Sequence, residues 1–296
     1  MNHRLGGRRG RGFMKAIDVL REILTDKRHL LILGQTRAGK TTVSKKLVSL
    51  ALKLGFTVYI VDWRNEYKID GIVSLPFILP KKTLPSLLSA IVAEESRTAG
   101  SLTWLALDNI VDKIKTFEDL INSLLLQATD RDLRLGAIAA LARLKPLHAL
   151  NPDFYEHFER LPSGRWNLSF LDFYTKKNIA NLISAALYEA LRLDNASGRN
   201  TILVLEESHH YLPATQLLRE GAFYNVKLVE IRQTPPEDQD LILNSNLIVF
   251  NLGVLARKIV LQYAWEPRIL KLREHEFAVY SCKRRKWLGP FSLNGV

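Results

Sequence analysis

The chain has 296 residues, enough to bury a substantial core in one large domain or two small ones. Hydrophobic residues make up 47% and charged ones 24%, which excludes a disordered chain; the single cysteine, Cys282, excludes an intrachain disulfide and a Cys-based zinc site. The net charge of +12 favours a polyanionic partner, of which nucleic acid is the commonest, over a generally basic surface.

Residues 1–12 combine glycine with Arg4, Arg8, Arg9 and Arg11 and cannot bury enough apolar surface to order themselves. They read as a flexible basic arm able to lie along a phosphate backbone, or as a plain disordered tail. Lys15, Asp18, Arg21 and Glu22 interrupt any apolar leader segment, so no secretion signal is expected. No apolar run approaches the roughly 18 residues of a membrane span, and a soluble, cytoplasmic protein is the expectation. Ile17, Leu20, Ile23 and Leu24 recur at helical spacing and predict a short helix over 13–26.

The next stretch, HLLILGQTRAGKTT (29–42), carries the densest chemistry. An apolar run is followed by Gly34, then Gly39, Lys40 and Thr41 in the G-x-x-x-x-G-K-[ST] order of a phosphate loop, between a predicted strand and a predicted helix. Backbone N–H groups over Gly34, Gln35, Thr36, Arg37, Ala38 and Gly39 and at the helix start, Lys40 to Thr42, would face nucleotide phosphates, where the helix dipole favours negative charge. Gly39 keeps a Cβ away from that approach, Lys40 reaches the β- and γ-phosphates, and the Thr41 hydroxyl can ligate Mg²⁺.

The helix continues to Leu54 and stops at Gly55. TVYIVD (57–62) predicts a second buried strand, completing a βαβ unit and implying a parallel sheet. Residues 84–165 are largely helical in pattern, clearest over Asp130 to Leu144, and read as a helical insertion. A strand is predicted at 166–170, a helix at 176–193, and strands at 201–205, 226–231, 247–251 and 277–281. The last of these turns through Lys283, Arg284, Arg285 and Lys286 into a short final strand. Strands and helices alternating over this length predict a doubly wound α/β domain.

The strand ILVL ends in Glu206 and Glu207. A carboxylate at that place can hold Mg²⁺, and a second can polarise the attacking water, so Glu206 is read as the metal-side group and Glu207 as the base. His209 and His210 follow, but neighbours in sequence do not face the same way, so packing is favoured over zinc. Gln233, after the strand at 226–231, reads from spacing alone as a solvent-facing loop residue.

Together these segments resemble the HerA–FtsK superfamily of ring-forming DNA motor ATPases, and HerA most closely. The phosphate loop with its lead-in looks like the first motif. VDWRNEY (61–67) is similar to the strand-two signature, an Asp followed shortly by Gly-Glu-Tyr. ILVLEESHHYLP (202–213) is similar to the second motif, and residues 217–240 to the arginine-bearing helix and sensor-glutamine strand. The resemblance implies an α/β, RecA-like P-loop ATPase core with a mostly parallel sheet and a helical insertion. It implies ATP and Mg²⁺ as cofactors, with Lys40, Thr41, Glu206 and Glu207 in the roles above. It also implies Gln233 as a sensor of the γ-phosphate, and Arg219 as the finger acting on a neighbour's nucleotide, with Arg192 and Arg199 as alternatives.

The partners implied are DNA and copies of the chain in a hexameric ring, the activity an ATP-driven DNA translocase or helicase. A nucleotide-dependent switch or phosphotransferase not acting on DNA is the alternative. The chain differs from the family at Arg37-Ala38, where Gly-Ser is usual, and at Asn65, where Gly is usual. Only about 28 residues precede the first strand, which leaves no room for HerA's N-terminal β-barrel, so docking to a HerA-type nuclease is not expected.

Overall fold

The computed structural model describes residues 15–79, 81–93, 96–150, 152–154, 161–193, 200–208, 221 and 225–295. The basic arm, His209, His210, Arg199 and Arg219 lie outside the described residues.

Strand β1 (Leu30–Leu33) is buried at every position, as are β7 (Thr201–Leu205) and β9 (Asn246–Phe250). Continuous apolar runs of this kind suit strands covered on both faces, the situation in a parallel sheet flanked by helices. They join β2 (Thr57–Asp62), β3 (Val73–Ser74), β6 (Gly164–Asn167), β8 (Val226–Arg232), β10 (Glu276–Ser281) and β11 (Lys286–Ser292). The nine strands form one sheet in the order β11-β10-β9-β1-β8-β7-β2-β6-β3. The seven strands from β9 to β3 pair in parallel, whereas β10 and β11 are antiparallel additions at one edge. The α/β class with a mostly parallel sheet is therefore the architecture of the chain.

Alternation along each strand divides the core. Leu30 and Ile32 point to one face with Val58, Ile60, Ile202, Val204, Val229 and Ile231, where helices α1 (Ala16–Thr25) and α2 (Lys40–Lys53) cover them. Helix α1 buries Ala16, Val19, Leu20, Ile23 and Leu24, the stripe its sequence predicts. On the opposite face Tyr59, Val61, Leu203, Leu205 and Leu228 pack under α3 (Leu84–Ala93), α4 (Arg97–Val111), α5 (Phe117–Gln127), α6 (Arg134–Leu144) and α7 (Phe173–Leu193). The same face of β1, β9 and β10 is covered by α8 (Gln239–Leu243), α9 (Ala256–Gln262) and Trp265. A small separate pairing joins β4 (Ile78–Leu79) to β5 (Asp153–Phe154).

Several boundaries differ from the sequence expectation. The strand expected at 166–170 is β6 instead, starting at Gly164 and ending at Asn167, whose side chain turns the chain by accepting from the Ser169 N–H at 3.0 Å. Asp172 then accepts from the N–H groups of Tyr174 (3.0 Å) and Thr175 (3.1 Å), so α7 begins at Phe173 rather than at Lys176. Helix α6 starts at Arg134, not Asp130, because the Asp130 carboxylate ties down the N–H groups of Asp132 and Leu133 in a turn. The pairs β3 and β4–β5, and the short helices α8 and α9, carry too few residues for a period to register.

The parallel register brings the C-terminal ends of β1, β8, β7 and β2 to one edge: Leu33 lies beside Arg232, Leu205 beside Glu230, and Val61 beside Leu205. Strand β8 separates β1 from β7. The loops leaving β1, β7 and β2 therefore open onto a common crevice, where an open α/β sheet places its ligands.

Candidate functional site

The loop leaving β1 runs from Gly34 to Gly39 and feeds directly into α2. Its backbone is tied to the segment just after β9, the Gln35 N–H donating to the Asn251 carbonyl at 3.0 Å. Gly39 has φ 109°, and a Cβ there would stand 2.4 Å from Leu293 Cδ1. The left-handed backbone favours glycine at this position, and the Leu293 side chain from the C-terminal segment lies against it. Arg37, where the resemblance predicts glycine, has φ 66° and is exposed. A non-glycine residue thus stands in the left-handed region that glycine adopts without strain.

Lys40, the first residue of α2, is buried, and its ammonium donates to the carbonyls of Gly34 (2.7 Å) and Gln35 (2.8 Å). Burial holds its pKa below the ordinary lysine value and the Arg64 guanidinium adds to the shift, while Glu207 and Glu206 oppose it.

Across the crevice, β7 delivers Glu206 and Glu207, both buried. Burial first, then the negative charge of Asp62 and Glu66, pushes the Glu206 carboxyl up to about 8, with Glu207 adding to it. Glu207 sits at φ 54°, so the chain turns sharply as it leaves the strand. Beneath them on β8, the fully buried Glu230 accepts from Ser208 Oγ and Arg232 Nη1, each at 3.1 Å, and burial raises its pKa as well.

The third wall is the loop after β2, organised by Asp62. This carboxylate has no exposed surface and accepts the backbone N–H groups of Glu66 (2.9 Å) and Tyr67 (3.1 Å). Arg165, from the neighbouring β6, donates one Nη1 to Asp62 at 2.5 Å and to Asn65 Oδ1 at 2.6 Å. Asn65 has φ 63°, which accounts for glycine being usual here in the resembling family; Asn is among the residues that tolerate this region. Tyr67 is fully buried and donates its phenol to Ser44 on α2 at 2.8 Å. Burial raises the Tyr67 pKa well above its ordinary value, so the phenol stays a donor.

So held, the loop presents Arg64 to the carboxylates. The Arg64 guanidinium lies 2.5 Å from Glu207 Oε1, and its backbone N–H donates to Glu206 Oε2 at 3.2 Å.

These walls enclose a cavity of about 840 Å³. Of the residues expected from sequence, Thr36, Arg37, Gly39, Lys40, Thr41, Thr42, Glu206 and Glu207 line it. Gly34 and Gln35 do not line it but hold Lys40 through their carbonyls, and Ala38 is buried in the core. Gln233 follows the last residue of β8 and is half-buried, without lining the cavity. Sequence reasoning missed Arg64, Glu66, Lys46, His275, Leu293 and Asn294, which with Ile231 of β8 complete the lining. For Arg64 and Glu66 a signal existed, since a buried strand ending in Asp62 leads straight into a charged segment. No local pattern marks the C-terminal residues.

Among the described residues no three His, Cys, Asp or Glu side chains are grouped closely enough to hold a metal ion by themselves. The donors present, the Thr41 hydroxyl and the Glu206 carboxylate among other acids, are hard oxygens. They fit a cation such as Mg²⁺, which takes one or two protein ligands and completes its shell with phosphates and water. No helix among the described residues is long and apolar enough to cross a membrane.

Residues 16–130 match the family model described as the central domain of helicase HerA. No curated protein matches the sequence. Among solved structures, the chain is similar to VirB4 of Thermoanaerobacter pseudethanolicus at 16% identity and TM-score 0.63, over 89% of each chain. It is similar to the bacterial conjugative coupling protein TrwBdeltaN70 at 15% identity and TM-score 0.67, over 95% of this chain and 93% of that one. The plasmid coupling protein TrwB, in complex with the ATP analogue ADPNP, gives 14% identity and TM-score 0.62, over 95% and 91%. The family match covers the first two strands and the phosphate loop, and the solved structures share the fold over most of the chain.

Proposed function

We propose that the protein is an Mg²⁺-dependent ATPase that assembles as a ring and translocates DNA. One observation carries the nucleotide reading: Lys40 and Thr41 from one end of the sequence and Glu206 and Glu207 from 166 residues further on line a single cavity, across β8. Lys40 would release the Gly34 and Gln35 carbonyls to reach the β- and γ-phosphates, and Thr41 and Glu206 would hold the cation, which shields phosphate charge. Glu207 would take a proton from water as the water oxygen bonds to the γ-phosphorus and the bridging P–O bond to ADP breaks, leaving ADP and inorganic phosphate.

DNA as the partner is supported by the net charge of +12 and by likeness to a conjugative coupling protein. Gln233, next to Arg232 at the end of the intervening strand, is assigned to sensing nucleotide state. Arg219 is assigned to the neighbouring subunit's site, a role that rests on the family resemblance because it lies outside the described residues.

The test is phosphate release from Mg·ATP by the full chain, with and without duplex or single-stranded DNA at fixed salt. Lys40→Ala and Glu207→Gln are each expected to lower turnover on the order of 100-fold or more. DNA is expected to stimulate the wild-type rate, and sizing with ATP and DNA to give a hexamer. Turnover that survives both substitutions, or a monomer indifferent to DNA, would overturn the respective parts of this reading.

A further inference from the structure

Nothing in the assigned roles accounts for Arg64. It lines the same cavity as Lys40, and its guanidinium is spent on the carboxylate read as the water-orienting base. While that ion pair stands, one oxygen of Glu207 is engaged by a cation rather than by a water molecule. The pair is also uneven. Arg64's side chain is 47% exposed, Glu207's only 10%, so the arginine is the partner with room to move.

The backbone beneath Arg64 is anchored on both sides. Asp62 holds the loop through Glu66, Tyr67 and Arg165, Tyr67 is bonded to Ser44 on the phosphate-loop helix, and the Arg64 N–H is bonded to Glu206. Motion is therefore confined to the long side chain, whose guanidinium can swing within the cavity while its Cα stays put. A guanidinium presents a planar fork of donors that matches a phosphate as well as a carboxylate, and a terminal phosphate carries more charge than Glu207.

We propose that Arg64 is a sensor of the terminal phosphate acting within its own subunit: with a nucleoside triphosphate bound, it exchanges Glu207 for γ-phosphate oxygens and so frees Glu207 to orient water. A diphosphate offers no such partner, and Arg64 stays on Glu207. The inference rests on the nucleotide-site reading above and adds to it the group that distinguishes triphosphate from diphosphate.

The test compares binding rather than turnover. Calorimetric titration of the full chain with Mg²⁺ and either the β,γ-imido analogue of ATP or ADP is carried out on wild type, Arg64→Ala, Arg64→Lys and Glu207→Gln. Arg64→Ala is expected to weaken the triphosphate analogue about tenfold or more while leaving ADP within about twofold. Arg64→Lys, which keeps the charge but not the fork, is expected to recover part of the loss. Glu207→Gln removes the competing carboxylate charge and is expected to tighten the analogue, a gain that disappears when Arg64→Ala is added. Retained ADP binding shows that each variant is folded. Equal loss for both nucleotides, or no loss for either, overturns the proposal and leaves the nucleotide site intact. A wild-type chain that binds neither nucleotide overturns the site reading itself, and this inference with it.

Discussion

The phenol of Tyr67 donates to the Ser44 hydroxyl at 2.8 Å, joining the loop after β2 to the helix that begins at Lys40. Two walls of the cavity are thereby fixed to one another by a single buried bond. Tyr67→Phe and Ser44→Ala are each expected to cost about 1 kcal/mol of folding stability. The double variant should cost less than their sum, because both remove the same bond. Urea unfolding of the four proteins measures this, and strictly additive losses would show that the two groups do not interact.

Asp62 carries more. Its carboxylate is buried beneath Arg165 and holds two loop N–H groups. Asp62→Ala leaves a largely buried guanidinium without its carboxylate, and a loss of about 3–5 kcal/mol is expected. Asp62→Asn retains an acceptor and should cost less. Chemical denaturation gives both values; an Ala variant within 1 kcal/mol of wild type, roughly the worth of an exposed pair, would contradict the buried-pair account.

Arg37 at φ 66° predicts a gain on substitution. A non-glycine residue in the left-handed region is strained by roughly 1–2 kcal/mol, and glycine returns part of that through the entropy of the unfolded chain. Arg37→Gly is expected to stabilise the protein by about 0.5–1 kcal/mol, read as a rise in melting temperature.

Lys227 supplies the pH dependence. It extends from β8 to the carbonyls of Ile23 (2.5 Å) and Asp26 (2.6 Å) at the end of α1, and burial lowers its pKa from 10.5 to about 7. Asp26 opposes the shift and Arg28 adds to it. Between those two pH values the unfolded chain binds the proton and the folded one does not. Stability from this group is therefore missing below about 7 and grows as pH rises toward 10.5, with a limiting slope of about 1.4 kcal/mol per pH unit. Unfolding free energies of wild type and Lys227→Met at pH 7.5 and about 9.5 should diverge in that direction. A variant with the wild-type pH slope would refute the assignment.

Much of the site was legible in the sequence because its parts are local. The phosphate loop is one contiguous stretch whose glycines and lysine must stand at set intervals to cup a phosphate, and Glu206-Glu207 is a pair at the end of an apolar run. The strands β1, β2, β7, β8 and β9 and the helices α1 and α2 were legible for the same reason, since burial on one or two faces writes a period into the residues. Boundaries slipped where a single side chain, Asp130, Asn167 or Asp172, captured the backbone in a turn against the surrounding pattern.

What the sequence by itself determined, then, was where the long, periodic elements lie and which residues carry charge at a strand end. The tertiary structure alone decided that β8 lies between β1 and β7, that Arg64 meets Glu207 across 143 residues of chain, and that Leu293 rests on Gly39. Parallel strands need crossovers, so their order depends on how helices pack over the sheet and not on any local period. An ion pair such as Arg64 with Glu207 exists only once those crossovers have brought two strand ends to the same edge.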